Sequence, residues 1–325
     1  MSAQTMSRGK LRVVIPASVV VLAMFVAAFF AGRNEAGDDP AGELEASVIE
    51  VGDAPFALVA DDDRMFVSNA GSSTVMAIDV SSGEIVAESD PLPGRPAGLV
   101  TDGADLWVGS IEGTDVYRLD AGGLRIEDRI TVGPAPATLA RSAAGIWVAA
   151  LNEGVVALIS EEGEIDKRLR GVAFPSAIGS DDSAVYVVDV TRDTVTLIDV
   201  ARRRYADSIE VGRAPTSIDV GDDAVWIGLF GDEAVARVDG GTGRVTTTAL
   251  GGAPGGVSVG RDFVWVTLPE DNAVVRIDPE TFDVVGEPIA VGANPQGVSA
   301  SSDGSVWIAN EGDDSVTRLR PSTSG

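Results

Sequence analysis

The side chains that most often perform chemistry are scarce in this protein, and that scarcity is the first constraint on its function. Among its 325 residues there is no cysteine and no histidine. Thiolate nucleophiles, histidine-based triads and zinc sites of the usual nitrogen or sulfur type are therefore excluded. Lysine occurs only as Lys10 and Lys167, and Lys167 lies in a polar stretch (164–168) where a solvated charge is expected rather than a Schiff-base amine. Oxygen groups remain, and they suit Ca2+, Mg2+ or Mn2+. The acidic runs at 61–63, 181–182, 222–223 and 313–314 are the first places to look. None has the ligand spacing of an EF-hand loop. Asp is also favoured in tight turns because it bonds its own backbone, and turn closure is the expected role of these runs. No cofactor and no metal ligand set is assigned, and Ca2+ is the kind of ion such groups would accept.

Acidic residues number 50 against 24 basic ones, a formal charge of −26. A surface this acidic repels phosphate backbones, so nucleic acid is not an expected partner, and cationic or neutral partners fit better. Hydrophobic residues make up 45% of the chain but aromatics only 5%, so Val, Ile, Leu and Ala must fill the core.

The elements that position these groups fall into an address and a scaffold. Residues 1–12 carry Arg8, Lys10 and Arg12 without an acid and are expected to stay in the cytoplasm. An apolar run follows at 13–31, broken only by Pro16 and Ser18. As a helix it would span roughly 28 Å, about one hydrocarbon core. Glu35, Asp38 and Asp39 follow it, and this charge asymmetry places the remainder outside the cell membrane as a single-pass protein. Cleavage of the run as a signal peptide would instead give a secreted protein. Residues 33–46 read as a flexible linker.

Beyond it the chain repeats. A proline recurs at Pro55, Pro96, Pro136, Pro175, Pro215, Pro254 and Pro295, with spacings of 39 to 41 residues. Eleven or twelve residues later comes an aromatic: Phe66, Trp107, Trp147, Tyr186, Trp226, Trp265 and Trp307. An apolar–Asp pair follows in five of the seven units, ending in Asp79, Asp120, Asp199, Asp239 and Asp278. Each unit holds four short β-rich runs, in the fifth at 216–220, 225–229, 234–239 and 244–249. Seven such units predict an all-β, seven-bladed propeller of four-stranded antiparallel blades over 47–320, with 321–325 as a tail. The last unit stops after its third strand, while an orphan strand at 47–51 matches a fourth-strand sequence; it is expected to complete blade seven.

On a repeated scaffold, function is expected where the repeats differ. The fourth-to-first and second-to-third connections are expected to share one face. There the candidates for ligand binding are Asn69, Arg95, Glu112, Asn152, Asp189, Arg213, Phe230, Glu270, Asn294, Asn310 and Glu311. Carboxylates and amides would ring a central funnel, with Arg95, Arg192 and Arg213 as isolated positive charges.

The repeat VGxxPxG(V/L)…(V/L)W(V/I)xN…V.RID is carried by Val291-Gly292, Pro295-Gln296-Gly297-Val298, Val306-Trp307-Ile308-Ala309-Asn310 and the VVRID run at 274–278. It resembles the YVTN-type propeller family and is similar to the bacterial propellers that include streptogramin lyases, over about residues 47–320. The resemblance implies a fold far more than a function. For streptogramin lyases it implies histidine acid–base chemistry with a divalent metal, and with no histidine here no catalytic residue carries over. The expectation is a membrane-anchored binding, scaffold or sensor domain for a protein, peptide or cell-wall ligand. The alternative is a metal-dependent hydrolase or lyase with carboxylate ligands in the funnel.

Overall fold

A computed structural model of the chain describes residues 44–322. The expected cytoplasmic segment, the apolar run at 13–31, most of the linker and the last three residues lie outside the described residues. Among the described residues no helix is long and apolar enough to cross a membrane.

The described chain forms seven four-stranded antiparallel sheets. Their innermost strands are Pro55–Ala60, Pro96–Thr101, Pro136–Ser142, Pro175–Ser180, Pro215–Val220, Val257–Val259 and Pro295–Ala300, so in all but the sixth blade the recurring proline opens the strand. An innermost strand has an open inner edge, and a residue without an N–H is tolerated at the first position of an edge strand. The fourth strand of blade seven is Leu44–Glu50, which pairs residue by residue with the third strand from Leu44↔Pro321 to Glu50↔Ser315. The closure expected from the orphan strand is present, but it starts at Leu44 and ends at Glu50. Residues 44–46 therefore belong to the blade and not to the linker, and Pro321 extends the last strand rather than starting a tail.

The second strands are buried on both faces. In blade seven, Trp307 packs into a cluster with Met65, Val67 and Ile78 of blade one, while Ile308 packs with Trp265 and Val274 of blade six. That double burial is why these strands read as apolar runs rather than alternating ones. The aromatic register has a partner one strand outward. Trp107, Trp226, Trp265 and Trp307 lie opposite Arg118, Arg237, Arg276 and Arg318. The Arg318 guanidinium sits 4.5 Å from the Trp307 ring centroid, and Arg118 lies 5.7 Å from that of Trp107. Where the second strand instead carries Phe66, Trp147 or Tyr186, the opposite residue is Ala77, Leu158 or Leu197. In four of the five tryptophan blades an arginine thus lies opposite the indole, a flat cation beside a flat ring with its stem buried, and blade three, with Leu158 opposite Trp147, is the exception.

Candidate functional site

One face of the ring is assembled by a recurring stitch. In five blades the residue before the proline has a left-handed backbone: Ala54, Arg95, Ala135, Ala214 and Asn294, with φ between 47 and 58°. That turn aims its carbonyl at the second-to-third connection of the same blade. Ala54 accepts from Ala70 at 2.9 Å, Ala214 from Phe230 at 3.0 Å and Asn294 from Glu311 at 3.1 Å. The two kinds of connection therefore do share a face. Three connections also fold into single 3-10 turns, Leu151–Glu153, Phe230–Asp232 and Pro269–Asp271.

Within this face opens the central channel, a cavity of about 620 Å³ that draws on all seven blades. This is the size usual for a small-molecule site. Its wall is mostly apolar, with Phe56, Leu99, Leu139, Ile178, Ile218 and Val298, and its polar groups include Thr138, Ser176, Thr216 and Gln296. Blade six leaves the wall bare at Gly255 and Gly256. A Cβ on Gly256 would lie 2.7 Å from the Gln296 carbonyl, so blades six and seven approach more closely than a side chain would allow.

Of the eleven candidate residues, Phe230, Glu270 and Asn294 line this cavity. Phe230 is 53% exposed, and Glu270 stands exposed on the neighbouring 3-10 turn. Glu311 joins them indirectly: Asn294 donates to its carboxylate at 2.9 Å, and Gln296 donates to the Asn294 amide oxygen at 2.9 Å. Gln296 was not among the sequence candidates. Its signal was present, since other blades place Phe56, Ala97, Ala137, Ser176, Thr216 or Gly255 at that position.

The remaining candidates are held elsewhere. Asn69 and Asn310 are fully buried at the ends of second strands. The Asn310 amide donates to Ser315 and Thr317, and a Cβ on Gly292 would lie 2.5 Å from its Cγ. The Val-Gly and the Asn of the repeat are thus one packing unit, with the amide lying over the glycine. Asp189 is 1% exposed. Burial works to raise its pKa, but hydrogen bonds from Ala173 and Thr191 outweigh that and hold the carboxyl below its usual range. The rim arginines are not isolated positive charges. Arg95 pairs with Glu112 at 3.0 Å, Arg192 with Asp189 at 3.3 Å and Arg213 with Asp232 at 2.6 Å. Asn152 is exposed on its turn, outside the cavity lining. Several rim acids also serve the backbone: Asp193 accepts from Ala214, Asp313 from Ala293 and Asp314 from Ala54. Among the described residues, no group of three or more acidic side chains gathers as a metal would require.

Asp219 was also missed. It is the only carboxylate on the seven innermost strands, half-buried, and it accepts from the Val259 N–H of the next blade at 2.7 Å. Burial pushes its pKa up against that bond. At the equivalent place in blade six, the Ser258 hydroxyl accepts from Ala300 at 3.2 Å. Both side chains satisfy N–H groups on an open inner edge, which is a structural task.

The recurring Asp of the apolar–Asp pairs closes the third-to-fourth turn. Asp79 Oδ1 accepts from the Ser81 hydroxyl at 2.6 Å and from Ser82 N at 2.7 Å. These bonds, led by that from Ser81, lower its pKa to about 2. Asp120, Asp199 and Asp239 are lowered as well, first by bonds from Gly123 N, Arg202 N and the Thr242 hydroxyl respectively. The folded state favours the charged forms. Their contribution is complete above the ordinary Asp value of 3.8 and is lost as pH falls through the lowered values, to about 2 for Asp79. The urea midpoint is therefore expected to fall between about pH 4 and pH 2. Asp79→Asn should flatten part of that slope, and an unchanged slope in the variant would remove Asp79 from this role.

Seven closed blades with a loop-built mouth define a class, the seven-bladed β-propeller, and comparison with solved structures agrees. A streptogramin B lyase superposes with a TM-score of 0.76 at 17% identity, covering 86% of this chain and 98% of the other. Virginiamycin B lyase from Staphylococcus aureus gives 0.72 at 20% identity, covering 85% and 99%. Hydrazine synthase from Kuenenia stuttgartiensis gives 0.73 at 18% identity, covering 84% and 96%. At such identities the likeness concerns the fold alone. No family model matches the chain, and no curated protein matches it in sequence.

Proposed function

We propose that this propeller is a binding domain, anchored outside the cell membrane by residues 13–31, that takes up a ligand from a protein, peptide or cell-wall component at the mouth of its channel. The observation that carries this reading is the cavity. It is large, mostly apolar and edged by Phe230, Glu270, Asn294 and Gln296, while the other variable polar groups of the face are mostly consumed in bonds that hold the loops. Pockets with an apolar wall and a few polar groups at the rim favour binding. The hydrolase or lyase reading needs several acidic ligands in one place and a base beside them, and the arrangement of the described carboxylates lends it less support.

The test is a screen of neutral, cationic and anionic aromatic fragments against the full chain, repeated on Thr216→Phe, which puts a larger side chain on the channel wall. Binding that the substitution abolishes while the melting temperature holds is the expected result. Fragments that bind both proteins equally would place the site elsewhere. N-terminal sequencing of the membrane fraction tests the anchor, and a chain beginning after Ala31 in the soluble fraction would replace it with a cleaved signal.

A further inference from the structure

We infer that the mouth of the channel selects an organic cation, a protonated amine or guanidinium on an apolar body, with Glu270 as its counter-charge and Phe230 as its aromatic face; this rests on the binding role proposed above. The residues that line the cavity carry one ionisable side chain, Glu270, and no positive charge. Glu270 has no hydrogen-bond or ion-pair partner among the described residues, whereas Glu112 and Asp232 are neutralised by arginines and Asp193, Asp313 and Asp314 are occupied by backbone N–H groups. Other exposed acids of these connections, Glu153 and Asp271, also carry no ion pair among the described residues, but they lie outside the cavity lining, so Glu270 is the one carboxylate the cavity itself presents.

The other groups there agree in sign. Gln296 and Asn294 each spend a side-chain amide donor on a neighbour, Gln296 on Asn294 and Asn294 on Glu311, and the Gln296 side-chain oxygen, Oε1, faces the mouth's ligand as an acceptor. Phe230 is a large apolar side chain left 53% exposed beside a cavity, and the face of such a ring attracts a cation. Below the mouth, Leu139, Ile178, Ile218 and Val298 form a wall suited to a hydrocarbon body. The formal charge of −26 draws cations toward the protein and keeps anions away. A carboxylate ligand would meet Glu270 with no compensating cation in the lining, and a neutral ligand would gain nothing from the exposed Glu270 charge.

The experiment is calorimetric titration of the full chain with three probes of one shape: 4-phenylbutylamine, 4-phenylbutanol and 4-phenylbutyrate. The amine is expected to bind at one site per chain, about fivefold more tightly than the alcohol, with the carboxylate weakest. Glu270→Gln should erase the amine's advantage and leave the alcohol's affinity unchanged. Phe230→Ala should weaken the amine and the alcohol alike. Glu280→Gln, an exposed carboxylate of a third-to-fourth connection outside the cavity lining, should change nothing. Equal binding of amine and alcohol, tighter binding of the carboxylate, or an amine indifferent to Glu270→Gln would overturn the cation preference; if Thr216→Phe still abolished binding, the channel site itself would stand. Binding of no probe, or binding unaffected by both Phe230→Ala and Thr216→Phe, would overturn the preference and the channel site together.

Discussion

Trp307→Ala should cost this protein about 4 kcal/mol of unfolding free energy, placing it among the most damaging single changes available. The indole is fully buried at the seam where the ring closes, packed against Met65, Val67 and Ile78 of blade one. Truncation would open a cavity lined by two rigid sheets that have little freedom to collapse into it. It would also take the ring from over Arg318, which is 2% exposed and lies 4.5 Å from the indole centroid, leaving Asp303 at 3.1 Å and the Ser305 hydroxyl as its partners. A double-mutant cycle with Arg318→Ala should therefore give a coupling of about 1 kcal/mol, measured by urea unfolding. A loss below about 1 kcal/mol for Trp307→Ala would mean that the seam is not part of the cooperative core.

The second large effect concerns closure. A chain beginning at residue 51 should lose on the order of 5 kcal/mol relative to one beginning at residue 44, and should associate through the exposed edge. The seven residues Leu44–Glu50 form the outer strand of blade seven and bridge the two ends of the propeller. Ile49 also packs on the seam cluster. Without this strand, the third strand Ser315–Pro321 becomes an unpaired edge whose first five residues are buried in the intact blade. Thermal melts and size-exclusion chromatography of the two chains read the difference. Equal melting temperatures and a monomer in both cases would refute the role of the closure.

The candidate site was only partly legible in the sequence. Phe230, Glu270 and Asn294 were found because the repeats disagree at those positions, and disagreement on a repeated scaffold marks what packing does not require. The same rule selected Asn69, Asp189 and Asn310, which are buried and bonded to their own loops. Variation between blades reflects two causes, exposure to a ligand and alternative ways of closing a loop, and position along the chain does not separate them. Asp189 and Asn310 solve one loop-packing problem with a carboxylate and an amide, and Leu229 solves it with an alkyl group, since a Cβ on Gly212 would lie 2.5 Å from Leu229 Cδ1. The rim arginines were misread for a related reason. Arg95 and Glu112 are 17 residues apart, and only the stitch between their two connections makes them neighbours.

The sequence by itself determined the number of blades, their four-strand make-up and the return of the N-terminal strand to blade seven. These follow from a repeat of about forty residues, from apolar runs that need cover on both faces, and from a count of strands at the two ends, all of which are local properties. It also determined what the protein lacks, because a missing histidine or cysteine is missing in any fold. Only the tertiary structure decided which charges are spent and which are free. The pairing of Arg213 with Asp232, the capping of Ala54 by Asp314 across the closed ring and the solitary carboxylate of Glu270 at the channel mouth all depend on which loops meet. Electrostatic interaction falls with distance through space, and residues as far apart as 54 and 314 become partners only when the ring closes.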